Sequence, residues 1–274
     1  VTSGYYLVGV GFQALNSNTT GIQNTGIGQQ ALYNSSTGSY NTAVGGQALL
    51  NNTTASYNTA VGYQAGYANT TGGITAVGYT ALAANTTGVD NTAVGLSAGG
   101  TITTGNRNTA VGRGVLNSTT TSSDNTGLGY GTLNQNTGSY NTAVGSSALQ
   151  LNTTASNNTA VGYQAAYSNT TGGYNATFGY AAGYNNTTGI NNTYLGQGSA
   201  YWCTTGSNNT ALGFSAGGAS GGVGLTASYV TAVGAGALQF NNGSNNTAVG
   251  YSALYSNTTG ADNIGIGYNA LYAN

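Results

Sequence analysis

The sequence repeats itself about every 17 residues, and that period limits the fold more than any other property of the chain. The pentapeptide Asn41-Thr42-Ala43-Val44-Gly45 returns at 58–62, 91–95, 108–112, 141–145, 158–162 and 246–250, with looser copies between. Sixteen closing glycines, from Gly11 to Gly267, are spaced by 17 residues except for three gaps of 16 and one of 21, between Gly213 and Gly234. One unit reads N-T-A-V-G-Y-Q-A-L-Y-S-N-T-T-G-S-Y, and its places are numbered here from the asparagine of N-T-A-V-G. A unit this short cannot hold a helical pair, which needs about 33 residues. Thr, Val, Ile and Tyr suit strands. In N-T-T-G, Asn caps its own backbone and Gly accepts positive φ, which is turn chemistry.

Each unit therefore reads as one coil of an all-β protein, a β-solenoid (β-roll) of about sixteen 17-residue coils. A short strand is expected at T-A-V-G and a second around A-L-Y-S, with turns between them. Stacking at about 4.8 Å predicts a rod on the order of 75 Å long, one repeat domain spanning 1–274. The long gap predicts an irregular loop insertion at about 217–229, carrying Gly217-Gly218-Ala219-Ser220-Gly221-Gly222.

Along the first strand the second and fourth places share one side. They can both be apolar, as in Val8/Val10 and Ile264/Ile266, so this side is expected to face the coil interior. The third place is nearly always Ala or Gly, which predicts a second backbone close against the other side. Strands covered on both sides imply self-association. The first and last units lie close to Val1 and Asn274 with no Lys or Pro guarding a strand edge, so flanking domains or end-to-end stacking are expected there.

Composition narrows the chemistry. Only Asp90, Arg107, Arg113, Asp124 and Asp262 carry charge, and the chain has no Lys, Glu, His, Met or Pro. That excludes a His-assisted nucleophile, a Schiff-base lysine and a Glu general acid, so no enzymatic activity is expected. One cysteine and no histidine leave no thiolate or imidazole zinc site. Three Asp among sixteen units cannot supply a calcium roll. Glycine-rich fragments such as Leu7–Gly11 recur with the coil and are followed by no basic residue, so no nucleotide loop and no cofactor are expected. Two arginines cannot neutralise a phosphate backbone, so nucleic acid is not an expected partner. No run of about 18 apolar residues exists to form a transmembrane helix.

The N-T-A-V-G unit with its nearby A-L and Gly turn resembles the S-V-A-I-G repeat in the head of YadA-like trimeric autotransporter adhesins. It is also similar to N-T-A-V-G-Y-x-A-L-x-x-N-T-T-G arrays of bacteriophage tail-fibre and related surface-fibre proteins. The resemblance covers about 260 residues. It implies a left-handed β-roll in a parallel trimer, although the period here is longer than the adhesin unit and no coiled-coil stalk or membrane anchor is expected within 1–274.

Several residues stand out against this regular background. Asn18, Asn69, Asn85, Asn152, Asn169 and Asn257 head Asn-x-Thr sequons, which offer glycosylation in a secreted chain or, alternatively, amide ladders along the coil axis. Tyrosines recur after the closing Gly (Tyr63, Tyr79, Tyr163, Tyr251, Tyr268) and after A-L or A-G (Tyr33, Tyr67, Tyr255, Tyr272). They suit ladders between coils, or an aromatic surface for sugars. Trp202-Cys203 replaces the usual turn residues, and Trp202 with Tyr201 forms a candidate recognition point.

These features predict a structural protein, extracellular or on a cell or virion surface, forming a rod or shaft by trimerisation or end-to-end stacking. A surface-binding solenoid, for cell-surface glycans or ice, is the alternative. Ice binding needs the second-place Thr rows to face solvent, against the inward orientation expected here.

Overall fold

The computed structural model describes residues 5–218 and 225–273, which contain strands, turns and bends and no helix. The chain falls into two compact units, Val1–Thr137 and Gly138–Asn274. The first holds β1 (Val8–Val10), β2 (Thr25–Ile27), β3 (Thr42–Val44), β4 (Thr59–Val61), β5 (Thr75–Val77), β6 (Thr92–Val94), β7 (Thr109–Val111) and β8 (Thr126–Leu128). The second holds β9 (Thr142–Val144), β10 (Thr159–Val161), β11 (Ala176–Phe178), β12 (Thr193–Leu195), β13 (Thr210–Leu212), β14 (Thr231–Val233), β15 (Thr247–Val249) and β16 (Ile264–Ile266). In each unit the strands of successive coils pair in parallel, like residue over like: Thr42 over Thr59, Ala43 over Ala60, Val44 over Val61. This is the β-solenoid that the period predicts.

The closing glycine shows why the motif is so regular. Gly45 has φ +132°, and a Cβ there would lie 2.5 Å from the Gly62 carbonyl oxygen of the next coil. Both the backbone angle and the close approach exclude a side chain. The Gly45 N–H donates to the Ile27 carbonyl at 2.7 Å, and the Thr42 N–H to the Asn58 carbonyl at 2.8 Å, so each coil is bonded to the coils before and after it.

The orientation of the strand reverses the expectation. The third place points inward: Ala43, Ala60, Ala93, Ala143 and Ala160 are fully buried. The second and fourth places point outward, with Thr42 exposed and Val44 half-exposed. The coil is thin, and its interior is shared by the Ala of places 3 and 8, the Leu of place 9 and the Asn of places 1 and 12. Even at Gly26 an added Cβ would come within 3.2 Å of the Leu15 side chain of the preceding coil, so only a small residue fits the third place opposite a leucine. The small third place thus reflects the coil's own interior and not a neighbouring chain.

The second expected strand is also absent. The segment around A-L-Y-S is a turn in which residues of left-handed backbone recur, such as Gln47 at φ 60° and Leu49 at φ 50°. Its N–H groups still reach the next coil, Leu49 to Ala65 at 3.0 Å and Asn51 to Tyr67 at 3.1 Å. A non-glycine residue in this region costs about 1–2 kcal/mol. Complete burial of Leu32, Leu49, Leu82 or Leu149 contributes roughly 2 kcal/mol each, enough to offset it. Leucine suits this place because a β-branched residue tolerates positive φ worse.

Where place 9 loses its leucine, another side chain refills the interior. Gly66 lies against Ile74, Gly99 against Ile102, and Gly183 against Tyr194, which occupies the third place of β12 and is wholly buried. A Cβ on Gly183 would stand 2.8 Å from the Tyr194 ring.

The 21-residue gap leaves the ladder in register, Thr210 over Thr231. Residues 219–224 of the expected insertion lie outside the described residues. The residues flanking them, Gly218 and Leu225, both bond to Trp202: its N–H donates to the Gly218 carbonyl at 3.1 Å and its carbonyl accepts from the Leu225 N–H at 2.9 Å. Leu225 and Ala227 are buried, and Leu225 forms a parallel bridge with Cys203.

Candidate functional site

The repeat turns every place of the unit into a row, so a surface site here is a set of adjacent rows. The strand face displays Thr at place 2 beside an aliphatic residue at place 4. Ile27, Leu128 and Leu195 remain 38%, 46% and 48% exposed, and Ile266 70%. None of the five charged residues lies on a strand. The face is therefore uncharged and half apolar throughout each unit.

The sequon asparagines point the other way. Asn18, Asn69, Asn85, Asn152, Asn169 and Asn257 are all buried. Each Nδ2 donates to a carbonyl of its own turn: Asn18 to Gly21 at 3.1 Å, Asn85 to Gly88 at 2.9 Å, Asn152 to Ala155 at 2.9 Å, Asn169 to Gly172 at 2.9 Å, Asn257 to Gly260 at 2.8 Å, and Asn69 to Thr71. Several also bond from coil to coil, such as Asn169 Nδ2 to Asn152 Oδ1 at 2.7 Å. A glycan on any of these nitrogens would displace the coil interior. In the folded coil these residues form the amide ladder that was the alternative to glycosylation, and an unmade bond there would cost about 1–3 kcal/mol. The place-1 asparagines form a second ladder, with the Asn58 N–H and Nδ2 both donating to Asn41 Oδ1 at 3.0 Å.

The turn face differs along the chain. In β1–β4 place 7 is glutamine, and Gln13, Gln30, Gln47 and Gln64 join through amide bonds of 3.1, 3.2 and 2.8 Å. In the coils of β11–β13 the same place holds Ala181, Gly198 and Ser215. A cleft of about 350 Å³ opens over these three residues. Tyr180, Gln197 and Phe214, all from place 6, line one side; Tyr201 and Trp202 line the other. Tyrosines do stack from coil to coil, Tyr163 on Tyr180 at 5.4 Å and Tyr167–Tyr184–Tyr201 at 5.1 and 5.0 Å. Gln197 interrupts the first of these rows. Trp202 meets Tyr201 edge-on at 5.0 Å.

The two residues singled out in the sequence, Tyr201 and Trp202, therefore belong to one cleft. Tyr180, Gln197 and Phe214 were not recognised with them. Aligning the units on the closing glycine shows that these three share place 6, but nothing in a linear alignment sets place 6 opposite place 10. Cys203 lies beneath, fully enclosed; its Sγ donates to the Gly217 carbonyl at 3.3 Å, and burial pushes its pKa up to about 12. The thiol stays protonated and is no nucleophile at neutral pH. Burial likewise raises the pKa of the Tyr194 phenol well above its ordinary value. Among the described residues no three His, Cys, Asp or Glu side chains gather as metal ligands.

Fold and surface together define a β-solenoid repeat protein that presents its side chains in rows. No family model matches the chain, and no curated protein and no solved structure is significantly similar to it.

Proposed function

We propose that this chain is a non-enzymatic structural protein that joins copies of itself along the strand face, building the rod or shaft of an extracellular or virion fibre. The observation that carries this reading is the outward, uncharged row of place-4 aliphatic residues, repeated on every strand of both units except for Phe178. Covering the exposed part of each contributes on the order of 1 kcal/mol, and the contributions accumulate rung by rung. A parallel homotrimer is the assembly that the adhesin-like resemblance favours, and an end-to-end polymer is the other. With so few charges, assembly would be insensitive to salt, as an extracellular fibre requires.

Light-scattering mass of the full chain, with electron microscopy of the same sample, tests it. A species near three times 27.0 kDa supports the trimer, and uniform filaments support the polymer. Val94→Lys with Leu128→Lys is expected to return the mass to 27.0 kDa with the circular dichroism unchanged, because both side chains point out of the coil. A wild-type 27.0 kDa monomer would refute self-association.

The same face supports a second reading. Thr42, Thr59, Thr142 and Thr193 are exposed, so the threonine rows have the solvent-facing orientation that ice binding requires. A monomer that produces thermal hysteresis would put this reading first, and a monomer without it would remove both.

A further inference from the structure

Several departures from the repeat fall together in three consecutive coils, those of β11–β13. Tyr194 fills a third place, Gln197 breaks a tyrosine row, Trp202-Cys203 replaces turn residues and Phe214 substitutes for Tyr. All lie in or directly beneath the aromatic cleft. We propose that this cleft binds a neutral saccharide. The inference is independent of the strand-face reading, because it uses the turn face of the coil.

The chemistry follows from the walls. Tyr180 and Phe214 are 56% and 58% exposed and sit two coils apart, about 9–10 Å along the axis. The missing aromatic rung at Gln197 leaves the space between them open on the Trp202 side. Such a slot accepts a flat ligand with an apolar face, and the C–H face of a pyranose ring stacks on Tyr, Phe and Trp. Around the slot, the Gln197 amide and the Ser215 hydroxyl supply donors and acceptors suited to sugar hydroxyls. No charged residue lines the cleft, and Asp262 is the only one in the second unit. A phosphorylated or acidic sugar would find no cation there. The cleft's 350 Å³ falls in the range of small-ligand sites and suits one or two sugar rings.

Trp202 is the only tryptophan, so its fluorescence reports this cleft alone. The full chain is titrated with cello-, malto-, chito- and mannotetraose. Saturable change of Trp202 emission with at least one of them is the expected result. Phe214→Ala, at an exposed position, should weaken that sugar about tenfold. Gln197→Tyr restores the aromatic rung, leaves the coil intact by circular dichroism, and should abolish the response. Tyr63→Ala, in the other unit, should leave it unchanged. No saturable response to any of the four sugars overturns the proposal, as does a response that survives Gln197→Tyr. An emission change that follows protein concentration without sugar would make the occupant a second copy of the chain and also overturn it.

Discussion

Two stretches of the same turn face show how one repeat supports two surfaces. In the coils of β1–β4 the interior sets Gly or Ala at place 3 against Leu at place 9, except at Gly66, and the exterior closes with a ladder of four glutamines. In the coils of β11–β13 the interior holds Tyr194 against Gly183, and the exterior opens between aromatic side chains. The backbone ladder is the same in both, with each strand in register with the next. Volume therefore moves between places without disturbing the coil, provided that a large residue inside is matched by a small one facing it.

The sharpest way to break that comparison is to move one interior into the other. Ala43→Tyr alone forces a large ring against Leu32 and is expected to cost about 3 kcal/mol or more, read from denaturant unfolding. Adding Leu32→Gly should recover a substantial part of that loss, since Gly183 faces Tyr194 in the same way. Strict additivity of the two changes would show that the Tyr194–Gly183 exchange is not the compensation described here.

A smaller effect is expected on the outside. Gln47→Ala removes two partly buried amide bonds and should lower stability by about 0.5–1 kcal/mol. Gln197→Tyr should be close to neutral in the same assay, because the place already carries Tyr180 in the coil before it. A Gln197→Tyr variant that melts far below the parent would make Gln197 a structural residue and not the opening of a cleft.

The smallest effect concerns pH. The Arg107 guanidinium grips Asp124 at 2.7 and 2.9 Å and lowers the carboxyl's pKa in the folded chain. Stability from this pair is therefore present above the ordinary carboxylate range and is lost as pH falls through it. The carboxylate is solvent-screened, so the loss is slight. With no His, Lys or Glu, Tm should stay nearly level between pH 5 and 8 and dip only slightly in acid, while above the ordinary thiol range the raised pKa of Cys203 makes stability fall; Asp124→Asn should erase the acid dip.

Much of the architecture is legible in the sequence. The recurrence of N-T-A-V-G announced the coil, Gly45 and its equivalents marked the corner, and the turn asparagines suggested amide ladders. Orientation was not legible. Alternation groups Thr42 with Val44, but it does not say which side encloses the core. Apolar pairs such as Val8 and Val10 point to the wrong side, because the inward third place stands against the place-9 leucine and, where that leucine is kept, has room only for a small residue. The turn around Leu49 looks like a strand from its side chains, while the left-handed backbone at Gln47 and Leu49 is disfavoured for each of these two residues taken alone.

The candidate site divides in the same manner. Trp202 and Tyr201 were conspicuous as departures from a repeat, whereas Tyr180, Gln197 and Phe214 matter because the turn folds place 6 across from places 10 and 11. By itself the sequence determined the period, the strand position and the glycine corners, since these follow from local backbone preference repeated many times. Only the tertiary structure decided which face is interior and where the cleft opens, because both depend on how much volume the closed coil can hold.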